Sequence, residues 1–153
     1  MANQNIPLIE ISGTNYDVGY KIGQVCKKQI NNLIKSSKKK YFSITGKPFE
    51  YFMRRSNKVL DLCHKNYKRY INEIKGISDG AEVDFNEYFT LNFEDEVFDI
   101  LYYKCTTLFL KTGEGIYLGH NEDWNSDFID KLYFLKLKQK NRPDAMFLSY
   151  LGP

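Results

Sequence analysis

A thiol, a carboxamide and a carboxylate lie at positions of this sequence that one β-hairpin would bring together. A turn centred near Gly113–Glu114 pairs the residues that lie at equal distances on either side of it. Cys105 then lies opposite Asn121 or Glu122, and Asp123 follows one step beyond. A cysteine beside a base is a candidate nucleophile. Taken alone, a cysteine is more often a small buried hydrophobe, and a polar run after a strand is more often a solvated strand end.

Two other groups of side chains are candidates for different chemistry. His120, Glu122 and Asp123 suggest a metal site, but neighbouring strand residues point to opposite faces and no second histidine lies nearby. The sequence therefore predicts no metal. The acidic residues 94–96 and 99 fit a paired-carboxylate acid–base site, but they also fit a solvated helix face.

The elements that position these residues change character near residue 104. Helical periodicity dominates before that point, and short β-branched or alternating segments follow it. The fold class is therefore predicted as α+β, with four helices followed by a four-stranded antiparallel meander. The predicted helices are 16–36, 49–67, 70–77 and 85–98, and the predicted strands are 7–12, 105–110, 116–120, 133–138 and 146–151.

Caps and glycines refine the helical half. Asn15 is the predicted N-cap of the first helix, and Asp84 with Glu87 forms a capping-box pattern before the fourth. Gly19 and Gly23 lie four residues apart on the first helix, where each costs about 1 kcal/mol against alanine. Their spacing predicts the close approach of another backbone.

Composition excludes several classes of protein. Of 153 residues, 42% are hydrophobic and 27% charged, which is enough apolar material for a packed core. The net charge of +3, with four arginines and one basic run at Lys35–Lys40, disfavours nucleic-acid binding. Three cysteines without a CxxC spacing favour neither disulfides nor zinc. We also expect no membrane span and no secretory leader, hence a cytoplasmic location.

Five short motifs, in order along the chain, resemble the acyl-coenzyme A:6-aminopenicillanic acid acyltransferase family of N-terminal-nucleophile hydrolases. The resemblance extends from about residue 6 to the end of the chain. The motifs are Gly13-Thr-Asn-Tyr16 with Gly19 and Gly23; Glu73-Ile-Lys-Gly-Ile-Ser-Asp-Gly-Ala81; Asn92 with Glu96; Cys105-Thr-Thr107; and Gly119-His-Asn-Glu-Asp123.

The resemblance implies an αββα sandwich made as one inactive precursor. The precursor would cut itself between Lys104 and Cys105, so that residues 1–104 become a helical small subunit and 105–153 begin the nucleophile-bearing sheet. Cys105 would then be the nucleophile. Asp123 would hold the new α-amine, and Asn121 would be a hydrogen-bond partner.

The implied chemistry follows from ordinary pKa values. A free α-amine, with a pKa near 7.7–8.0, is a suitable base for a thiol with a pKa near 8.5. The cut therefore creates the base. Thr106 and Thr107 would position the nucleophile, and no cofactor is needed. The expected substrate is a small acylated amine or an acyl-coenzyme A type donor.

The same resemblance predicts that the chain is incomplete. The oxyanion-hole asparagine and the rest of the sandwich would lie beyond Pro153, so this chain alone would be nearly inactive. Its expected partners are the missing C-terminal half of the fold or another copy bound through the uncovered sheet. The alternative reading is a non-catalytic module that binds a partner through its sheet and edge strands.

Overall fold

A computed structural model describes residues 6–93, 105–122, 131–139 and 142–151 of the chain, and for Cys105 and Glu122 it describes the backbone alone. Within these residues the chain forms five helices and five strands. The helices are α1 (Asn15–Val25), α2 (Lys27–Thr45), α3 (Phe49–Asn66), α4 (Lys68–Ala81) and α5 (Phe85–Leu91). The strands are β1 (Leu8–Ser12), β2 (Cys105–Lys111), β3 (Ile116–Glu122), β4 (Leu132–Lys138) and β5 (Ala145–Tyr150). The predicted α+β class is confirmed, and the αββα sandwich stays a prediction.

The strands form two sheets, and the predicted four-stranded meander is wrong. β4 is the centre of a three-stranded sheet, with β1 parallel to it on one side and β5 antiparallel on the other. Both edges of β4 are therefore occupied, and β3 cannot pair with it. β2 and β3 form a separate antiparallel hairpin. The parallel pair joins Leu8 to Phe134, a contact between distant parts of the sequence.

The first predicted helix is two helices, because α1 stops at Val25 and α2 starts at Lys27. Cys26 between them has φ −103° and ψ 16°. α2 then continues beyond the predicted end to Thr45, where Gly46 closes it in the left-handed conformation at φ 68°. The predicted fourth helix ends earlier than expected, at Leu91, and residues 94–98 of that prediction lie outside the described residues.

The predicted cap at Asp84 is confirmed, and the predicted cap at Asn15 is wrong by one residue. The Asp84 carboxylate accepts a hydrogen bond from the backbone N–H of Glu87 at 3.0 Å. The N-cap of α1 is Thr14, whose hydroxyl accepts from the backbone N–H of Asp17 while the Asp17 carboxylate accepts from the backbone N–H of Thr14. This reciprocal pair is a complete capping box.

Replacing Thr14 with alanine should lower the free energy of unfolding by about 1 kcal/mol, because one N–H of the first turn of α1 loses its acceptor. Thr14→Ser keeps the hydroxyl and is the matched control. Urea unfolding of the two variants measures the effect. Equal stability of the alanine and serine variants would show that the capping box does not stabilise the protein.

Helices α1 and α4 approach each other through two pairs of glycines, which confirms the packing predicted for Gly19 and Gly23. All four glycines are buried, and each faces the backbone of the other helix. A methyl group on any of them would overlap a main-chain carbonyl oxygen: Gly19 meets Glu73, Gly23 meets Ile77, Gly76 meets Tyr16 and Gly80 meets Tyr20. The crossing therefore tolerates no side chain at these positions.

The core lies between the helices and the β1–β4–β5 sheet. Ile22 and Ile30 are fully buried on α1 and α2, and Tyr133 and Leu135 of β4 are buried against the same cluster. Tyr41 packs against Phe52 edge to face, with ring centroids 5.0 Å apart. One continuous apolar cluster thus fixes the three-stranded sheet on the helical layer.

Candidate active site

The β2–β3 hairpin has the register that the sequence predicts around its turn. Cys105, the first residue of β2, is paired with Glu122, the last residue of β3. Thr106 is paired with Asn121. Glu122 is therefore the residue opposite Cys105, and Asn121 is displaced from it by one position. Because neighbouring residues on a strand alternate between faces, Asn121 shares its face with Thr106 rather than with position 105.

A histidine lies on the same face of the hairpin as position 105. Thr107, two residues along β2, is paired with His120, and its hydroxyl lies 2.8 Å from Nδ1 of the imidazole. The residue types around His120 suggested a metal ligand, and its place on this face was not predicted. His120 and Thr107 are about equally many residues from the turn, and this spacing in the sequence would have predicted that they are paired.

Several predicted site residues lie outside the described residues. They include Lys104, and with it the predicted scissile bond, as well as Asp123 and the acidic residues 94–96 and 99. The structure describes three residue pairs of this site, which are Cys105–Glu122, Thr106–Asn121 and Thr107–His120. The roles of Cys105, Asn121 and Asp123 and the domain boundary at 104/105 therefore stay predictions.

The hairpin is exposed and apolar. Six large hydrophobic side chains on its two strands have exposed fractions of 49–73%. They are Leu108, Phe109, Leu110, Ile116, Tyr117 and Leu118. Contiguous exposed apolar surface of this kind is typical of interaction sites.

The other two cysteines occupy different environments. Cys26 is 1% exposed, and burial raises the pKa of its thiol to about 11. Cys63 on α3 is half-buried, and both thiols are free. Within the described residues, no cluster of three His, Cys, Asp or Glu side chains has the arrangement of a metal site. No helix in this part of the chain is long and apolar enough to cross a membrane.

The motif residues of the helical half hold α1 against α4. The amide of Asn15 donates to the Glu73 carboxylate at 3.0 Å, and the Tyr16 hydroxyl donates to the Asp79 carboxylate at 2.8 Å. The hydrogen bond to Asp79 raises the pKa of Tyr16. The Lys75 ammonium beside Asp79 lowers the pKa of that carboxyl. Together with the four glycines, these contacts assign the first two motifs a structural role.

Two curated enzymes align with most of this chain, although no family model matches it. The chain is 26% identical over 144 residues to a β-alanyl-dopamine/carcinine hydrolase from Drosophila melanogaster, covering 86% of this chain and 37% of the relative. It is 27% identical over 154 aligned positions to the 40 kDa form of acyl-coenzyme A:6-aminopenicillanic-acid-acyltransferase from Emericella nidulans, covering 94% of this chain and 41% of the relative. The chain thus spans about two fifths of the length of these curated relatives. The resemblance to the acyl-coenzyme A:6-aminopenicillanic acid acyltransferase family is confirmed by relatives of modest identity that align with most of the chain.

Proposed function

We propose that this chain is the nucleophile-bearing N-terminal portion of an N-terminal-nucleophile cysteine hydrolase or acyltransferase. The observation that carries the proposal is the position of Cys105. It lies on β2, which follows the five helices of the described residues, in a part of the chain that aligns with the hydrolase and acyltransferase relatives. A cut between Lys104 and Cys105 makes the cysteine both the first residue of a subunit and the first residue of a strand.

Maturation begins with attack of the Cys105 thiol on the carbonyl carbon of Lys104. The C–S bond forms as the C–N bond breaks, and the thiol proton passes to the departing nitrogen. Water then hydrolyses the thioester, which leaves a carboxylate on Lys104 and a free thiol and α-amine on Cys105. The amine is the base for the next reaction, since the amide that it replaces could not accept a proton.

Turnover uses the same two groups. The α-amine accepts the thiol proton, Cys105 attacks an amide or thioester carbonyl, and the leaving group departs from an acyl-enzyme. Water or an amine then accepts the acyl group. Asp123 holds the protonated amine and Asn121 supplies a hydrogen bond. Thr106 and Thr107 position the strand, and the Thr107–His120 contact at 2.8 Å stiffens it beside the nucleophile.

The two fragments remain associated after the cut. β1 lies before residue 104 and β4 after it, and they form five parallel residue pairs, from Leu8–Phe134 to Ser12–Lys138. Ile9 of β1 is buried in the same core as Tyr133 and Leu135 of β4. The cut therefore separates the backbone without separating the sheet.

The names of the relatives support the proposed substrate class. One is a β-alanyl-dopamine/carcinine hydrolase, and the other an acyl-coenzyme A:6-aminopenicillanic-acid-acyltransferase. These names share an acyl group carried on nitrogen or on coenzyme A sulfur. On that basis we propose that the substrates of this protein are small acylated amines or acyl-thioesters.

A second candidate function is a non-catalytic module that binds a partner. The exposed apolar side chains of the β2–β3 hairpin favour it, since a pair of strands with uncovered faces and edges is a template for association. This function needs no reactive thiol at Cys105. The reactivity of the three cysteines therefore separates the two candidates.

Cys105 should react with a thiol-directed acylating reagent before Cys26 or Cys63. At pH 8 only about one Cys26 side chain in a thousand is a thiolate, given its raised pKa of about 11. Cys63 lies within helix α3, where its own backbone nitrogen is an amide and cannot accept the thiol proton. Brief labelling of the full-length protein, which includes the proposed C-terminal half of the fold as well as these 153 residues, is followed by peptide mapping. The map gives the order in which the three cysteines react.

The denatured protein is the control for this experiment, because Cys26 and Cys63 are then equally accessible and only the free α-amine of a cut Cys105 distinguishes that cysteine. Labelling of Cys63 ahead of Cys105 in the folded protein would argue against the nucleophile assignment. It would favour the binding module.

A further inference from the structure

A cavity of about 310 Å³ lies where α1 and α4 meet the face of the sheet formed by β4 and β5. This volume is at the lower end of the range for small-molecule sites, about 300–1,000 Å³. Its apolar wall includes Val18, Leu135, Leu137 and Phe147. Four elements build it, and the cavity is on the β1–β4–β5 sheet rather than on the hairpin that begins at Cys105.

Glu73 supplies a carboxylate to this cavity. The side chain is half-buried, and its Oε2 atom accepts a hydrogen bond from the Asn15 amide at 3.0 Å. Asn15 also lines the cavity, so the neutral amide orients the carboxylate without neutralising it. An ionised carboxylate accepts about four hydrogen bonds, so Glu73 keeps acceptor capacity for a ligand.

Arg142 supplies the opposite charge. It is exposed and lines both this cavity and the adjoining one around Gly13. Neither Glu73 nor Arg142 forms an ion pair with another described residue. By contrast, the two other charged groups of the adjoining cavity have partners: Lys138 pairs with Asp144 at 3.6 Å and Asp17 is bound by Thr14.

The remaining polar lining is uncharged. Burial raises the pKa of Tyr133, so its phenol stays neutral, and Ser149 is paired with it across the strands. Among the described lining residues, Glu73 and Arg142 are therefore one negative and one positive group on a shared apolar cavity. Two opposite charges that have no ion-pair partner in the described part of the chain, beside an apolar wall, are complementary to a molecule that carries both charges.

We propose that this cavity binds a small zwitterionic amino acid. The ammonium of the ligand contacts Glu73, its carboxylate contacts Arg142, and its methylene groups lie against Leu135 and Phe147. This site is separate from the chemistry assigned to Cys105, and it stands or falls independently of that assignment.

Calorimetric titration of the full-length protein tests the proposal with ω-amino acids from glycine to 6-aminohexanoate. Pentylamine and pentanoate are the probes with one charge. At least one amino acid should bind about tenfold or more tightly than either probe, because each charge gains its own charged partner. The chain length that binds best reports the separation of the two protein charges.

Two variants and a control assign the contacts. Arg142→Gln, on an exposed side chain, should weaken amino-acid binding about tenfold and leave pentylamine unchanged, and Glu73→Gln should weaken both. Glu50→Gln, an exposed carboxylate on α3, is the control and should change neither. Pentylamine binding as tightly as every amino acid, or amino-acid binding that survives Arg142→Gln, would overturn the proposal. Absence of binding for the whole series would overturn it as well.

Discussion

Replacing Cys105 with alanine is expected to leave the full-length protein as one uncut chain and to remove the proposed amide-hydrolysing activity. In the proposed mechanism self-cleavage and turnover use the same sulfur, so a single substitution eliminates both. Loss of a catalytic nucleophile commonly costs about 10⁴–10⁶ in rate. Serine at this position keeps a nucleophile of higher pKa, and Cys105→Ser should therefore slow the cut without abolishing it.

The matched control for this experiment is Cys63→Ala, which removes a half-buried thiol from α3. It should leave both the cut and the activity unchanged. Hydrolysis of a small amide and of an acyl-thioester, followed alongside gel mobility, measures the two effects together. Wild-type activity in Cys105→Ala would contradict the assignment.

Replacing Gly80 with alanine is expected to lower the free energy of unfolding by about 3 kcal/mol, the upper part of the range for overpacked cores. The new methyl group would overlap the main-chain carbonyl oxygen of Tyr20, and backbone cannot move aside as a flexible side chain does. Helix propensity acts in the opposite direction, since alanine is favoured over glycine by about 1 kcal/mol within a helix. A net loss of unfolding free energy would therefore come from the overlap at the α1–α4 contact and not from helix propensity.

Gly113→Ala is the control for the crossing, because no atom lies within 4 Å of the added methyl group in the β2–β3 turn. Urea unfolding of both variants gives the comparison. A Gly80→Ala protein as stable as the wild type would mean that the two helices do not approach this closely.

Local patterns predicted those parts of the fold that depend on neighbours in sequence. The spacing of Gly19 and Gly23 predicted a close backbone contact, and Asp84 with Glu87 predicted a cap, because both are properties of a single helix. The helix break at Cys26 gave no such signal, since the apolar stripe continues through it.

Non-local pairing was not predictable in the same way. β1 is short and alternates only weakly, and no feature of its sequence indicates that its partner is β4, more than 120 residues later. The assumption that successive strands pair in a meander followed from the general preference for sequential neighbours. The β1–β4 pair overrides that preference and leaves the β2–β3 hairpin as a sheet of its own.

For the candidate site, the sequence predicted the hairpin register that places Cys105 opposite Glu122, because a short turn fixes the register of the two strands. The register also separates Asn121 from position 105 by strand alternation and brings His120 to the same face as that position. The cavity at Glu73 and Arg142 was not predicted from the sequence. Its walls come from four separate elements, and local sequence patterns do not show which elements pack together.

The N-terminal sequence and intact mass of the full-length wild-type protein are the most direct test of self-cleavage before Cys105. Self-cleavage predicts two fragments that copurify through the β1–β4 pairing, one of them beginning at Cys105. No added protease is needed, and the same cut should appear in protein refolded from denaturant. A single intact chain, or a new N-terminus at any residue other than Cys105, would contradict the account.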